Sequence, residues 1–198
     1  MTDEILIDKF LKGHTEAFNT LVWRWEKPLY NFILRYLGDS EQAKDVLQNT
    51  FIRAYKSLPR LKDHSRFSTW LYQIAHNQCH DCWKARRHDN LNMADLENDE
   101  DENQSERKTI VDPDSGPDKS ALNSEIAEYL RRALLMIPEE QRVVIIMKEY
   151  HGLKFIEIEA ILQTPLNTIK SRLYYGLSAM QKIFRQWGLD REDLRYEM

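Results

Sequence analysis

The chain has 198 residues, of which 42% are apolar and 30% charged, and its formal net charge is −4. No apolar run approaches the ~20 residues that span a bilayer, which excludes a helical membrane protein and leaves a globular one with a highly charged surface. The only two cysteines, Cys79 and Cys82, do not make a disulfide framework, and the acidic start MTDEILIDKF carries no signal-peptide pattern. Both features point to the cytoplasm.

Taken in chain order, apolar residues recur at helical spacing, and strand alternation is absent. Residues 3–12 read as a first helix. Residues 15–37 read as a second, with Phe18, Leu21, Val22, Trp25, Leu29, Phe32, Ile33 and Tyr36 on one stripe and a kink expected at Pro28. Gly38 stops it, and Asp39 opens a third helix with Gln42 in capping-box register. In that helix Ala43, Val46, Leu47, Thr50, Phe51, Ala54 and Leu58 face a core, while Asp45, Gln48, Asn49, Ile52 and Lys56 face away. A polar face around an exposed Ile suits a partner surface; equally, a single exposed Ile needs no explanation.

A fourth helix starts between Ser65 and Ser68 and runs to about Arg87. It contains HNQCHDCWKARRH, in which His76, Cys79, His80 and Cys82 invite a zinc reading. Four ligands on one straight helix cannot surround a metal tetrahedrally, and structural zinc sites bring ligand pairs from different elements. No second pair exists in the chain, so no metal is expected, and the thiols read as small hydrophobes. Phe67, Trp70, Tyr72 and Trp83 alternate with Asn77, Lys84, Arg86 and Arg87, a mixture that suits unstacked bases, although some of the aromatics must be core.

The segment DLENDEDENQSERKTIVDPDSGPDK breaks the pattern. Residues 95–121 hold 10 Asp and Glu against 3 Lys and Arg, and hide a first half with 14 basic against 11 acidic residues. It reads as a solvated linker, which divides the chain into a domain at 1–90, a linker at 91–121 and a domain at 122–198. The fold class is all-α, with two small helical domains.

The second half reads as Leu122–Met136, a helix from Pro138 to near His151-Gly152, then Phe155–Leu162 and Asn167–Trp187. The last two, joined by Gln163-Thr164-Pro165-Leu166, make a helix-turn-helix. Ile169, Leu173, Leu177, Met180 and Phe184 form the buried stripe of the last helix, leaving Thr168, Lys170, Ser171, Arg172, Tyr174 and Tyr175 to face DNA or, in an ordinary helical hairpin, solvent.

Taken together, FLKGHTEAFNTLVWRW, DVLQNTFIRAYKSL, FSTWLYQIAHNQCHDCWKARR, IPEEQRVVIIMKEYHG and LKFIEIEAILQTPLNTIKSRL resemble, in order, regions 2, 2.2, 2.3–2.4, 4.1 and 4.2 of the extracytoplasmic-function (ECF, group 4) sigma factors of the sigma-70 family. The resemblance implies a non-enzymatic subunit that directs RNA polymerase core to promoters, without cofactor or membrane insertion. Asp45, Gln48, Asn49, Ile52 and Arg53 would meet the β′ clamp helices, and the second domain the β flap. Leu61, Lys62, Asp63, His64, Ser65, Arg66 and Asn77 would meet flipped bases of the single-stranded −10 element, where the few kcal/mol lost on unstacking is repaid by pocket contacts. Lys84, Arg86 and Arg87 would hold the nearby backbone, and Thr168, Lys170, Ser171, Arg172 and Tyr175 the duplex −35 element. It also implies an anti-sigma factor as partner, and a linker that threads the polymerase channel.

The chain departs from the family pattern at several points. Asn49 stands in place of Glu, Leu61 and Lys62-Asp63-His64 in place of Phe-Arg-Gly-Asp, Glu159 in place of a small residue, Gln163 in place of a turn Gly, and Tyr175 in place of Arg. These put the −10 pocket and −35 preference in question. Two other readings compete. A stand-alone helix-turn-helix regulator would bind duplex DNA without polymerase, usually as a dimer, but no dimerisation coil is evident. A zinc enzyme or redox sensor lacks a general base and a second ligand pair.

Overall fold

The computed structural model describes residues 1–94 and 120–189. The helices are α1 (Asp3–Leu11), α2 (Glu16–Leu37), α3 (Ser40–Ser57), α4 (Phe67–Ala94), α5 (Ser120–Met136), α6 (Glu139–Ile145), α7 (Phe155–Leu162) and α8 (Leu166–Gln186). Among the described residues there is no strand. The expected acidic linker lies outside the described residues from 95 to 119, although α4 continues past Arg87 to Ala94 and α5 starts at Ser120.

The helix boundaries follow from local chemistry. Helix α2 continues through Pro28 and ends at Gly38, whose φ of 73° is the left-handed conformation that glycine adopts freely, and whose N–H donates to the Leu34 carbonyl at 2.8 Å. Asp39 Oδ1 then accepts from the N–H groups of Glu41 and Gln42, both at 3.0 Å, and opens α3. The Gln42 side chain looks elsewhere than a capping box requires. Its Oε1 accepts from Cys82 Sγ and Arg86 Nη1, each at 3.4 Å, and links α3 to α4. After α6 the chain makes a π turn at Ile146–Tyr150, which the periodicity did not suggest.

The first half packs α1, α3 and α4 around α2, burying Ile7, Leu21, Leu29, Phe32, Ile33, Leu58, Phe67 and Leu71. The second half packs α5, α6 and α7 on α8 and buries Ala133, Leu134, Val144, Ile146, Ile158 and Ile169. The halves also dock on each other, α4 against α7 and α2 against α5 and the π turn. The two contributions differ in size. Each fully buried Leu, Ile or Phe contributes about 1.5–3 kcal/mol, whereas a hydrogen bond across the junction nets about 0.5–1.5 kcal/mol. Apolar packing crosses the junction as well, where Phe32 meets His151 and Gly38 meets Leu135 of α5, so the docking draws on both.

Gly38 sits at the junction: a Cβ there would lie 2.6 Å from Leu135 Cδ1 of α5. Gly13, at φ 96°, has nothing within 4 Å of its Cβ position. G13A should cost the backbone strain alone, about 1–2 kcal/mol, and G38A should cost more because it also forces α5 away. Urea unfolding of both variants checks this; equal losses would mean that Leu135 yields freely.

Burial holds His151 and His76 neutral, with pKa values lowered to about 4 from the ordinary 6.5. Unfolding frees both rings to take up protons below 6.5. The stability they contribute is thus present above pH 6.5 and lost as pH falls toward 4. The urea midpoint should drop between pH 7.5 and 5, and the H151Q variant should show a shallower drop.

Candidate polymerase and promoter interfaces

An open groove of about 1180 Å³ runs along α2 and α3, lined by Phe18, Val22, Trp23, Tyr30, Leu47, Phe51, Ile52 and Tyr55 together with Lys27, Lys44, Gln48 and Lys56. Trp23 is 82% exposed on its rim. Of the expected polymerase contacts, Gln48 and Ile52 lie in this groove, while Asp45 and Asn49 are exposed on α3. Arg53 is turned toward α4. With the Gln78 amide oriented oxygen-first, Arg53 Nη1 donates to it at 2.6 Å. Leu47 and Phe51, assigned to the core from their spacing, are half-buried and line the groove.

The segment expected to meet the −10 element is a folded turn. Asp63 Oδ1 accepts from Ser65 N at 3.1 Å and Ser65 Oγ at 2.5 Å, which holds the carboxyl below its ordinary range, and Arg66 Nε pairs with its other oxygen at 3.3 Å. His64 Nδ1 lies 3.0 Å from Asp8 of α1, so this His faces its own domain. Leu61 is half-buried, and Lys62, Ser65 and Arg66 are exposed. On α4, Asn77, Lys84 and Arg86 are exposed, and the Arg87 side chain lies outside the described residues.

The Cys/His stretch disperses. Cys79 is fully buried, Cys82 donates to Gln42, His80 Nδ1 lies 2.9 Å from Glu139 of α6, and His76 packs its ring on Tyr36. Among the described residues no three His, Cys, Asp or Glu converge on a point that would hold a metal ion. Of the aromatics nearby, Phe67 and Tyr72 are core, at 2% and 3% exposure.

In the helix-turn-helix, Gln163 adopts φ 50°, the left-handed conformation that glycine usually supplies. Pro165 caps α8 but gives no side-chain acceptor; Glu159 does so instead, accepting from Leu166 N at 3.1 Å. The two departures noted in the sequence thus sit on one turn, where the carboxylate stabilises the positive end of α8. Leu177 is exposed at 44%, not part of the buried stripe as its spacing suggested. The reason is Gly176, buried so closely that a Cβ would lie 2.8 Å from Ile145 Cδ1, which brings α6 against that side of α8. Lys170, Tyr174 and Tyr175 are exposed, and Thr168 and Ser171 half-buried, with Ser171 Oγ donating to the Thr168 carbonyl at 2.9 Å. Arg172 is half-buried in an ion pair with Glu140 at 2.6 Å, a partner 32 positions away that periodicity does not reveal.

A helical unit with an open groove is docked to a unit ending in a helix-turn-helix, and the family models identify both as parts of a promoter-specificity subunit. Sigma-70 region 2 matches residues 21–89 and sigma-70 region 4 matches residues 127–180. The ECF RNA polymerase sigma-E factor of Escherichia coli strain K12 is 32% identical over 182 residues, covering 91% of this chain and 93% of that one. The RNA polymerase sigma-H factor of Pseudomonas aeruginosa is 29% identical over 182 residues, covering 91% and 92%. Among solved structures, CnrH in complex with the cytosolic domain of CnrY aligns with a TM-score of 0.65 at 20% identity, covering 93% of this chain and 97% of that one. RpoE in complex with the anti-sigma factor NepR from Bartonella quintana aligns with a TM-score of 0.65 at 19% identity, covering 86% and 98%. The chain belongs to the ECF sigma factors of the sigma-70 family.

The turn geometry has a measurable consequence. E159A removes the acceptor for Leu166 N–H and should cost about 0.5–2 kcal/mol. Q163G relieves the left-handed strain and should gain up to about 1 kcal/mol. Opposite shifts of the urea midpoint are expected, and a Q163G variant less stable than wild type would contradict the strain.

Proposed function

We propose that this sigma factor docks on RNA polymerase core through the α2–α3 groove and reads the −35 element with the N-terminal half of α8. The groove carries the reading: exposed Trp23, Ile52 and Tyr55 stand on a largely apolar groove beside Gln48 and lysines, as the anchor of a protein interface does. Core polymerase, through the β′ clamp helices and the β flap, is the partner that the family suggests. Asp45 and Asn49 would flank that contact. Lys170 and Tyr175 are free to approach DNA, and Arg172 joins them once it leaves Glu140.

For the −10 element, exposed Lys62, Ser65, Arg66 and Asn77 are the candidates for flipped bases, with Lys84 and Arg86 on the backbone beside them. Residues 1–90 and 122–198 would act as separate reading units, tethered by the acidic segment. The protein acts by binding and not by catalysis, in the cytoplasm. No helix among the described residues is long and apolar enough to cross a membrane. An anti-sigma factor is a further expected partner, since the NepR complex shows one on a protein of this fold. A stand-alone regulator is not favoured, because the relatives are sigma factors.

Run-off transcription with and without core polymerase tests the proposal: transcripts should require both proteins, and promoter-specific duplex binding without core would support the regulator instead. W23A and I52R should each weaken core association by about 1–3 kcal/mol in a competition assay. R172A should lower transcription from a −35-dependent promoter by an equivalent of about 1–3 kcal/mol if the guanidinium contacts a base. Wild-type behaviour of any folded variant would remove that residue from its interface.

A further inference from the structure

The turn at 61–66 is held at both ends and in the middle. Leu58 before it is fully buried and Phe67 after it is 2% exposed, so the core fixes its ends. Asp63 fixes the middle, accepting from Ser65 and pairing with Arg66. Among the described residues, His64 is the only polar side chain of the turn whose bond leaves it. Its Nδ1 lies 3.0 Å from Asp8 Oδ1 of α1, 56 positions upstream.

Asp8 stands on a helix that is itself pinned. Asp3, at the start of α1, accepts from Arg24 of α2 and, at 3.0 Å, from Trp25 Nε1. Leu6 and Ile7 are buried, and the Phe10 ring sits 5.5 Å from Phe18 of α2 and 5.1 Å from Tyr55 of α3. Helix α1 thus braces the turn with one carboxylate.

An ionised carboxylate only accepts, so the imidazole donates from Nδ1. In the neutral ring that bond fixes the tautomer and makes Nε2 an acceptor. Nε2 has no hydrogen-bond partner among the described residues, and the His64 side chain is 23% exposed, in the same turn as exposed Lys62, Ser65 and Arg66. A flipped base is read by hydrogen bonds to its Watson–Crick edge. An acceptor there favours an exocyclic amine, which adenine, cytosine and guanine carry and thymine lacks. The one donor on that edge of thymine, N3–H, lies between two carbonyl oxygens that repel another acceptor.

We propose that His64 reads one base of the unpaired −10 strand through Nε2 and disfavours thymine there, with Asp8 as the positioning residue that sets its tautomer and orientation. His64 does so only if the turn meets the −10 strand, as proposed above.

The test is binding of the full chain, together with core polymerase, to promoter templates whose −10 element is left unpaired, so that melting costs the same for all. Each −10 position of the non-template strand carries 5-methylcytosine or thymine, which share ring size and methyl group and differ in having or lacking the 4-amine. Adenine and hypoxanthine form the matching purine pair. At one position the amine-bearing base should bind about three- to tenfold more tightly. H64A should remove that preference and leave the other positions unchanged. D8A should weaken it, D8E should restore it, and D8A should change nothing further in the H64A background. A merely structural loss would instead be equal on every template. Asp8 is 58% exposed, so D8A tests the contact even if H64A fails to fold. No amine preference at any position, or one that survives H64A, overturns the base reading. Equal losses on all templates in D8A overturn the positioning role. If the wild type shows no core-dependent binding to any promoter template, the −10 reading itself falls and the role of His64 with it.

Discussion

The structure depends on α2 being apolar on more than one side. A helix with a single stripe can satisfy one packing partner. Here Phe18 and Leu21 meet the first half, while Phe32, Ile33, Tyr36 and Leu37 are buried near the other end, where α5 and the π turn arrive. Phe32 packs edge-on against both Tyr72 of α4 and His151 beyond the π turn. Arg35 lies 4.6 Å over the Tyr150 ring at the same place. One helix thus organises the core of the first half and receives the second.

The polar groups of the junction follow from that arrangement. Tyr36 is on the apolar stripe, but its hydroxyl cannot be buried without a partner at reasonable cost. Glu139 supplies that partner, and the buried carboxylate in turn needs donors, which Tyr36 and His80 provide. Such a set stabilises docking only while all members are present.

Electrostatics on the DNA-reading side follow a different logic. The N-terminal end of α8 carries a positive dipole, which attracts phosphate. Glu159 and Glu140 both place carboxylates beside that surface, on the Leu166 N–H and on Arg172. Their negative charge offsets part of the attraction for any duplex and leaves a larger share of binding to specific contacts. The net charge of −4 comes from residues 95–121, which hold 10 Asp and Glu against 3 Lys and Arg, while residues 1–94 hold 14 basic against 11 acidic residues.

Local periodicity and capping determined the helices, because each depends on neighbours within a few positions. Gly38 and Asp39 ended α2 and opened α3 where their chemistry required, and Ile169, Met180 and Phe184 marked the inner face of α8. The ordered set of motifs was likewise legible, since family resemblance needs only sequence. What stayed hidden involves partners far apart in the chain. The spacing that places Leu47 and Phe51 on an apolar stripe does not say that they line an open groove with residues of α2. Leu177 has the right position for the core, but Gly176 admits α6 so closely that the helix turns Leu177 outward. The clustered Cys and His residues went to separate neighbours, because a helix spreads successive side chains around its axis and each meets whatever packs there. The chain alone therefore determined its elements and its family. Only the tertiary structure decided which polar groups pair across 32 or 103 positions, because such pairs form only when packed cores bring their helices together.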